Sequence, residues 1–303
     1  MINLKNFNIS TIAISSVFGF QGTGLFPYSL FPPYINLLKI AKDLKTTIFT
    51  KSATRFARRG NFILHKPWTW KYIRRIPKRS MLNAYGLTNG GVEVHALKLQ
   101  AAYAGGYSVV PNFYPEFSKG TETACVQTLE AMEIYKAHLE GLFLAVELNF
   151  SCPNSKEDIA NNMDMASYCI KAVKEKYPQL SIIAKTSIVH PYEFYEELER
   201  LGVDAIHAVN SVPYDVFFPN KKPPFRGIKG AGLSGAITFE RVYDYNRKLR
   251  KRIRLPLIMG CGVTNVEDVA RLIDIGANAV SICSIVAMAP NEAIKIIKGS
   301  FHN

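Results

Sequence analysis

Short apolar runs rich in β-branched residues alternate along the chain with longer amphipathic stretches. This alternation is typical of parallel strands joined by crossover helices. The apolar runs predict eight strands, over residues 11–14, 46–51, 107–111, 143–149, 181–186, 205–210, 255–260 and 279–284. Eight such repeats predict an α/β fold, a closed (β/α)8 TIM barrel in which residues 1–303 form a single domain.

Four amphipathic stretches predict helices, over residues 122–139, 160–177, 191–201 and 265–275. The last of them has the clearest ends, because Asn265 is a good N-cap and Gly276 is a good C-terminal stop.

Two connections are too long to be simple crossovers. One is an insertion over residues 52–90, after the second predicted strand, and the other covers residues 211–234, after the sixth. Loops longer than about 15 residues in a compact domain usually have a function. We therefore expect elaborated loops that cover or bind a ligand at both places.

Polar residues close several of the predicted strands. These residues are Lys51, Asn149, Lys185, Asn210 and Ser284. In a (β/α)8 barrel the working side chains lie at the C-terminal ends of the strands. The five are therefore expected to meet at one end of the barrel.

The composition of the chain excludes several classes of protein. Of its 303 residues 48% are hydrophobic and 20% are charged, which favours a folded globular chain over a disordered one. No apolar run is long enough to span a bilayer, so we expect a cytoplasmic protein with no membrane partner. The five cysteines include no CxxC pair, which predicts reduced thiols and no metal site.

The net charge of +13 is concentrated in one segment. Nine basic residues and no acidic residue lie between Ser52 and Leu82, and they are Arg55, Arg58, Arg59, Lys66, Lys71, Arg74, Arg75, Lys78 and Arg79. Three interpretations are open: a solvated basic face, a surface for a subunit or partner, and a surface for nucleic acid, which we consider the least favoured.

One segment carries a family resemblance. Residues 147–154 read ELNFSCPN, which resembles the active-site loop of dihydroorotate dehydrogenases. Other segments resemble the same family in the same order, and they are residues 50–52, 80–89, 184–185, 209–211 and 232–235. The resemblance is closest to the soluble class 1 enzymes. It implies an FMN-dependent oxidoreductase that converts dihydroorotate to orotate in pyrimidine biosynthesis.

The resemblance also implies a catalytic residue and a substrate site. Oxidation of a dihydropyrimidine needs a base to remove a proton while a hydride leaves for the flavin. Cys152 is implied as that base, in place of the serine of the membrane-bound branch. Asparagine amides suit a pyrimidine because they offer both donors and acceptors. The implied substrate-binding residues are Lys51, Asn83, Tyr85, Leu87, Asn149, Asn154, Asn210 and Ser211.

For FMN, the resemblance implies that Lys185 faces one edge of the ring and that the loops after strands seven and eight hold the phosphate. The implied cofactor-binding residues are Ser15, Ser16, Lys51, Asn149, Lys185, Gly232, Gly235, Gly260, Cys261, Gly262, Cys283 and Ser284. The chain departs from the family at Ser16, Cys261 and Cys283, where small glycines are typical. Added side chains there predict weaker flavin binding.

Other functions fit part of this pattern. A dihydrouridine synthase also has a flavin-bearing barrel with an Asn-x-x-Cys-Pro loop, and its tRNA partner would suit the basic charge. A related FMN oxidoreductase acting on another cyclic amide and a catalytically inactive barrel that serves as a binding protein are two further alternatives. As electron acceptor, fumarate and a partner subunit that passes electrons to NAD both stay open, and soluble members of the family are commonly dimers. Quinone is disfavoured because the first strand begins almost at once.

Overall fold

The computed structural model describes residues 1–24, 30–151, 163–228 and 230–299. The strands are β1 (Ile2–Asn3), β2 (Asn8–Ile9), β3 (Ile12–Ser15), β4 (Thr47–Ala53), β5 (Ile73–Ile76), β6 (Ser80–Asn83), β7 (Val109–Phe113), β8 (Ala145–Asn149), β9 (Ser181–Lys185), β10 (Ala205–Ala208), β11 (Val212–Pro213), β12 (Gly232–Gly235), β13 (Leu257–Gly260) and β14 (Ala279–Ile282). The α-helices are α1 (Pro32–Asp43), α2 (Gly91–Ala104), α3 (Thr121–Leu139), α4 (Met163–Lys176), α5 (Tyr192–Arg200), α6 (Tyr214–Phe217), α7 (Phe239–Arg250), α8 (Val266–Asp274), α9 (Ser284–Met288) and α10 (Pro290–Gly299).

Eight parallel strands close a barrel in chain order, β3-β4-β7-β8-β9-β10-β13-β14. The predicted (β/α)8 fold is confirmed, and no end of a predicted barrel strand differs from the observed end by more than two residues. The strands read as continuous apolar runs because the helices cover the outside of the barrel while side chains fill its inside.

Large and small side chains together fill the end of the barrel where the strands begin. Phe49, Val110, Ile183 and Ile258 come from β4, β7, β9 and β13, and the other four barrel strands contribute alanines. The short antiparallel pair β1 and β2 packs Ile2 and Ile9 against this layer. The N-terminal end of the barrel is therefore closed by packed apolar groups.

The predicted helices agree with the structure where they fall within the described residues. The side chain of Asn265 caps α8 by accepting a hydrogen bond from the backbone N–H of Asp268 at 2.7 Å. Gly276, with a φ of +97°, follows the same helix as predicted. The first residues of the stretch 160–177 lie outside the described residues.

The two long connections contain more regular structure than predicted. They contribute β5, β6, β11 and β12 to one antiparallel sheet of order β11-β12-β6-β5, in which Asn83 pairs with Gly232 and Leu82 with Leu233. The strands are too short to give a clear alternation, and the central pair, β6 and β12, joins segments about 150 residues apart. For these reasons the sequence predicted loops here.

Within the described residues, no helix is both long enough and apolar enough to pass through a lipid bilayer.

Candidate active site

A cavity of about 560 Å³ lies at the C-terminal end of the barrel, under the four-stranded sheet. Its volume is within the range of cofactor and substrate sites. The predicted site residues that line it are Ser15, Ser16, Lys51, Asn83, Tyr85, Leu87, Asn149, Lys185, Asn210, Ser211, Cys261, Gly262, Cys283 and Ser284. All five polar residues predicted at strand ends are among them.

The other predicted site residues either do not line the cavity or lie outside the described residues. Gly232, Gly235 and Gly260 do not line the cavity. A Cβ atom at Gly260 would collide with the side chain of Ser281, so this glycine is required for packing between neighbouring strands. Cys152 and Asn154 lie outside the described residues.

The floor of the cavity holds a buried ionic cluster around Glu147. One carboxylate oxygen is bound by Nδ1 of His207. The other is bound by the amide of Asn112 and lies 3.3 Å from the ammonium of Lys185. Burial alone would raise the pKa of Glu147, but the charge of Lys185 and the contact with His207 outweigh it and lower the pKa to about 2. Glu147 is therefore a carboxylate, although it has no exposed surface.

Lys185 is the counter-charge of this cluster and faces the cavity. Its side chain is 4% exposed, and its ammonium donates to the hydroxyl of Ser15 at 3.0 Å. The last position of β9 thus places a fixed cation on the cavity wall.

Two asparagines of the cavity hold the chain next to the Cys152 motif. The side-chain oxygen of Asn149 accepts hydrogen bonds from the backbone N–H and the hydroxyl of Ser151, both at 3.0 Å, while its amide donates to Ser52 at 2.9 Å. The amide of Asn210 donates to the carbonyl of Ser151 at 3.2 Å. Ser151, which directly precedes Cys152, is therefore held both by Asn149 at the end of β8 and by Asn210 just after β10.

Known proteins resemble this chain over most of its length. The family model described as dihydroorotate dehydrogenase matches residues 36–301. The chain belongs to the dihydroorotate dehydrogenase family. The resemblance predicted from the sequence is thereby confirmed, and with it a flavin-dependent oxidoreductase.

Three curated relatives carry the name dihydroorotate dehydrogenase B (NAD(+)), catalytic subunit. The protein of Parabacteroides distasonis is 25% identical over 97% of this chain and 91% of its own length. That of Oceanobacillus iheyensis is 26% identical over 82% of this chain and 78% of its own length. That of Archaeoglobus fulgidus is 35% identical, over 46% of this chain and 48% of its own length.

Lys51 lies beside an aromatic ring in the wall of the cavity. Its ammonium is 3.8 Å from the ring centroid of Tyr85, within the range of a cation–π contact. Burial raises the pKa of Tyr85, so its phenol stays neutral and can donate a hydrogen bond.

At two of the three positions where this chain has a larger residue in place of the glycine typical of the family, the backbone has a conformation that favours glycine. The φ angles of Ser16 and Cys261 are +50° and +69°, in the left-handed region. Cys283, with a φ of −139°, is not in this region. Burial raises the pKa of both thiols, that of Cys261 to about 11, so both are protonated near neutral pH.

Several residues of the cavity were not predicted. The polar ones are Tyr34, Ser52, Arg75, His207, Ser234 and Ser281. The apolar ones on the insertion are Phe62, Leu64, Trp70, Ile73 and Met81. His207 and Ser281 interrupt apolar strand runs one or more residues before the strand end, and this polar interruption was the signal that could have revealed them.

Proposed function

We propose that the protein oxidises dihydroorotate to orotate in pyrimidine biosynthesis, with FMN as cofactor and Cys152 as base. In addition to the family membership, one observation supports this proposal. A buried cation, a cation beside a phenol and several asparagine amides converge on one cavity at the C-terminal end of the barrel. This set of groups suits a flat ring of amides that carries a carboxylate.

The groups of the cavity fit FMN. The ammonium of Lys185 and the hydroxyl of Ser15 would face the polar edge of the flavin ring. At the other end, Gly262 has a φ of +121°, and a Cβ atom there would lie 2.7 Å from the Cα atom of Phe239. The backbone at Gly262 and at Ser284, the first residue of α9, would hold the phosphate in the loops that (β/α)8 barrels use for this purpose.

The residues on the substrate side have separate tasks. Asn83, Asn149 and Asn210, with Asn154, would bind the amide groups of the pyrimidine ring. Lys51 would bind the carboxylate, while Tyr85, Leu87 and Ser211 would complete the wall. When bound, FMN would supply the acceptor for the hydride.

The proton leaves from the ring carbon next to the one that loses the hydride, so the base must be held at a fixed place. Cys152 follows Ser151, which Asn149 and Asn210 hold by hydrogen bonds. The thiol would take the proton as a thiolate, and the cation of Lys51 would favour that form. The motif Asn-x-x-Cys-Pro supports Cys152 as the base.

The relatives named as NAD(+)-linked catalytic subunits support a partner. We propose that a second subunit takes electrons from this chain and passes them to NAD. Fumarate is the alternative acceptor, and steady-state assays with each acceptor would distinguish the two.

An anaerobic reduction experiment tests the proposed reaction. Protein loaded with FMN should lose its flavin absorbance rapidly after addition of dihydroorotate. The Cys152→Ala variant should bind FMN normally but be reduced at least about 100-fold more slowly, in line with the usual contribution of a general base. Protein that binds no FMN, or FMN that dihydroorotate does not reduce in the unmodified protein, would contradict the proposal.

A further inference from the structure

A Glu–His–Ser chain lies under the cavity, beside Lys185. Glu147 is in β8, His207 in β10 and Ser281 in β14, and none of them is more than 4% exposed. Nδ1 of His207 binds one carboxylate oxygen of Glu147, and its Nε2 lies 2.7 Å from the hydroxyl of Ser281. His207 and Ser281 also line the cavity.

The imidazole and the ammonium of Lys185 bind different oxygens of Glu147. His207 binds Oε1, while Lys185 and Asn112 share Oε2. Because the second contact of the Lys185 ammonium is Ser15, at the cavity wall, the cation lies between the carboxylate and the cavity. If Oε1 had no donor, the ammonium could bind both oxygens and would withdraw from Ser15.

The ring of His207 is held from both sides. A carboxylate accepts hydrogen bonds only, so Nδ1 carries a proton. Burial lowers the pKa of His207, which favours the neutral ring, and Nε2 then accepts from the hydroxyl of Ser281. Its ring also packs against Phe49, with centroids 4.9 Å apart. Loss of a neutral His207 would therefore leave the net charge of the cluster unchanged.

We propose that His207 is a positioning residue for Lys185: by occupying Oε1 of Glu147 it holds the Lys185 ammonium at the cavity wall, where that cation raises the reduction potential of the bound flavin. This inference rests on the proposed FMN-dependent function. The physical reason is that a reduced flavin is more negative than an oxidised one, so a nearby cation stabilises it in proportion to its closeness.

The test measures the midpoint potential of bound FMN by equilibration with redox dyes. We expect His207→Leu, which removes the donor to Oε1, to shift the potential to more negative values. Its reduction by dihydroorotate should slow about tenfold, as expected for the loss of a charge-assisted hydrogen bond. His207→Asn retains a side-chain N–H near the position of Nδ1 and should recover most of the potential.

A matched control comes from another buried histidine. His95 in α2 is 1% exposed and bonds to the hydroxyl of Tyr135 at 2.7 Å, but it does not line the cavity. His95→Asn should lower stability without moving the potential. If His207 acts through Lys185, then His207→Leu should cause no further shift in a Lys185→Met background.

Three outcomes would overturn the inference: an unchanged potential in His207→Leu with FMN bound, an equal shift in His95→Asn, or an undiminished effect of His207→Leu in the Lys185→Met background. If His207→Leu does not fold, Ser281→Ala decides, because it frees the ring from its second partner. We expect a smaller shift in the same direction, and an unchanged potential contradicts the inference. Failure of the unmodified protein to bind FMN would instead count against the proposed function.

Discussion

At the scale of single residues, the cavity wall contains non-glycine residues whose backbone is in the left-handed region that favours glycine. Cys261 has a φ of +69°, and its sulfur is 3.5 Å from the hydroxyl of Thr238. A non-glycine residue in this region costs about 1–2 kcal/mol. Replacement by glycine relieves that strain. It also gives the unfolded chain more conformational entropy, which destabilises the folded state by a comparable free energy.

We therefore predict that Cys261→Gly changes the free energy of unfolding by no more than about 1 kcal/mol. The same change should strengthen FMN binding several-fold, because it removes a side chain from the cavity wall. Urea unfolding and fluorescence titration with FMN measure the two quantities. Cys283→Gly is the control for strain. Because Cys283 has a φ of −139°, its replacement relieves no left-handed strain, and this variant should lose stability. Weaker FMN binding by Cys261→Gly would contradict the expectation that these side chains hinder the flavin.

Sequence patterns predicted individual site residues with uneven success. Lys51, Asn149 and Lys185 were accessible to prediction because each ends an apolar run, and all three line the cavity. His207 was missed because a histidine inside a strand is usually a core residue with a local partner. Its partner Glu147 lies 60 positions away, and only the closed barrel brings the two together.

At the scale of elements, the sheet over the cavity depends on one close backbone approach. Gly235, at the end of β12, has a φ of +93°, and a Cβ atom there would collide with the backbone of Arg79 and Ser80. These residues begin the paired strand β6 or directly precede it. The glycine is therefore needed for the insertion 52–90 to pair with the segment after the sixth barrel strand.

We predict that Gly235→Ala loosens this sheet while the barrel stays folded. Limited proteolysis should then cut the segments 52–90 and 211–234 faster, and the KM for dihydroorotate should rise, while the circular dichroism of the barrel changes little. Gly141→Ala is the matched control, because a Cβ atom at Gly141 would meet no other group within 4 Å. Equal proteolysis of the two variants would show that the sheet does not depend on Gly235.

The elements themselves could be predicted to different degrees. The barrel strands were predicted within two residues because each is buried on both faces and reads as a continuous apolar run. The sheet of β5, β6, β11 and β12 could not be predicted. Its strands have two to four residues, and β5 exposes Arg74 and Arg75 between two partly buried isoleucines.

At the scale of the whole molecule, part of the basic segment is used inside the fold. Arg55 forms ion pairs with Glu93 in α2 and Glu130 in α3, at 2.6 and 2.7 Å, and Arg58 pairs with Glu116 at 3.0 Å. These pairs attach the insertion to α2, to α3 and to the connection between β7 and α3. They account for two of the nine basic residues, and a third, Arg75, lines the cavity. The other six are the ones to which the three interpretations from the sequence apply.

Buried neutral histidines should make the whole fold sensitive to acid. Burial lowers the pKa of His95 to about 3 and that of His190 to about 4. Below pH 6.5 the unfolded chain takes up protons at these sites while the folded chain does not, so stability decreases as the pH falls. His207 acts in the same direction. The carboxylate of Glu147, with a pKa of about 2, contributes a further loss only below about pH 4.5.

We predict that the free energy of unfolding falls by about 3 kcal/mol between pH 6.5 and pH 5 from His95 and His190 together, a large part of the 5–15 kcal/mol typical of a domain. Urea unfolding at several pH values measures this decrease. His95→Asn removes one of the two sites and should remove about half of the decrease that these two histidines contribute. His65→Asn is the matched control, because His65 is exposed, and it should leave the slope unchanged. A stability that stays constant down to pH 5 would mean that these imidazoles can be protonated inside the fold. The assignment of a neutral ring to His207, which holds Lys185 in place, would then have to be revised as well.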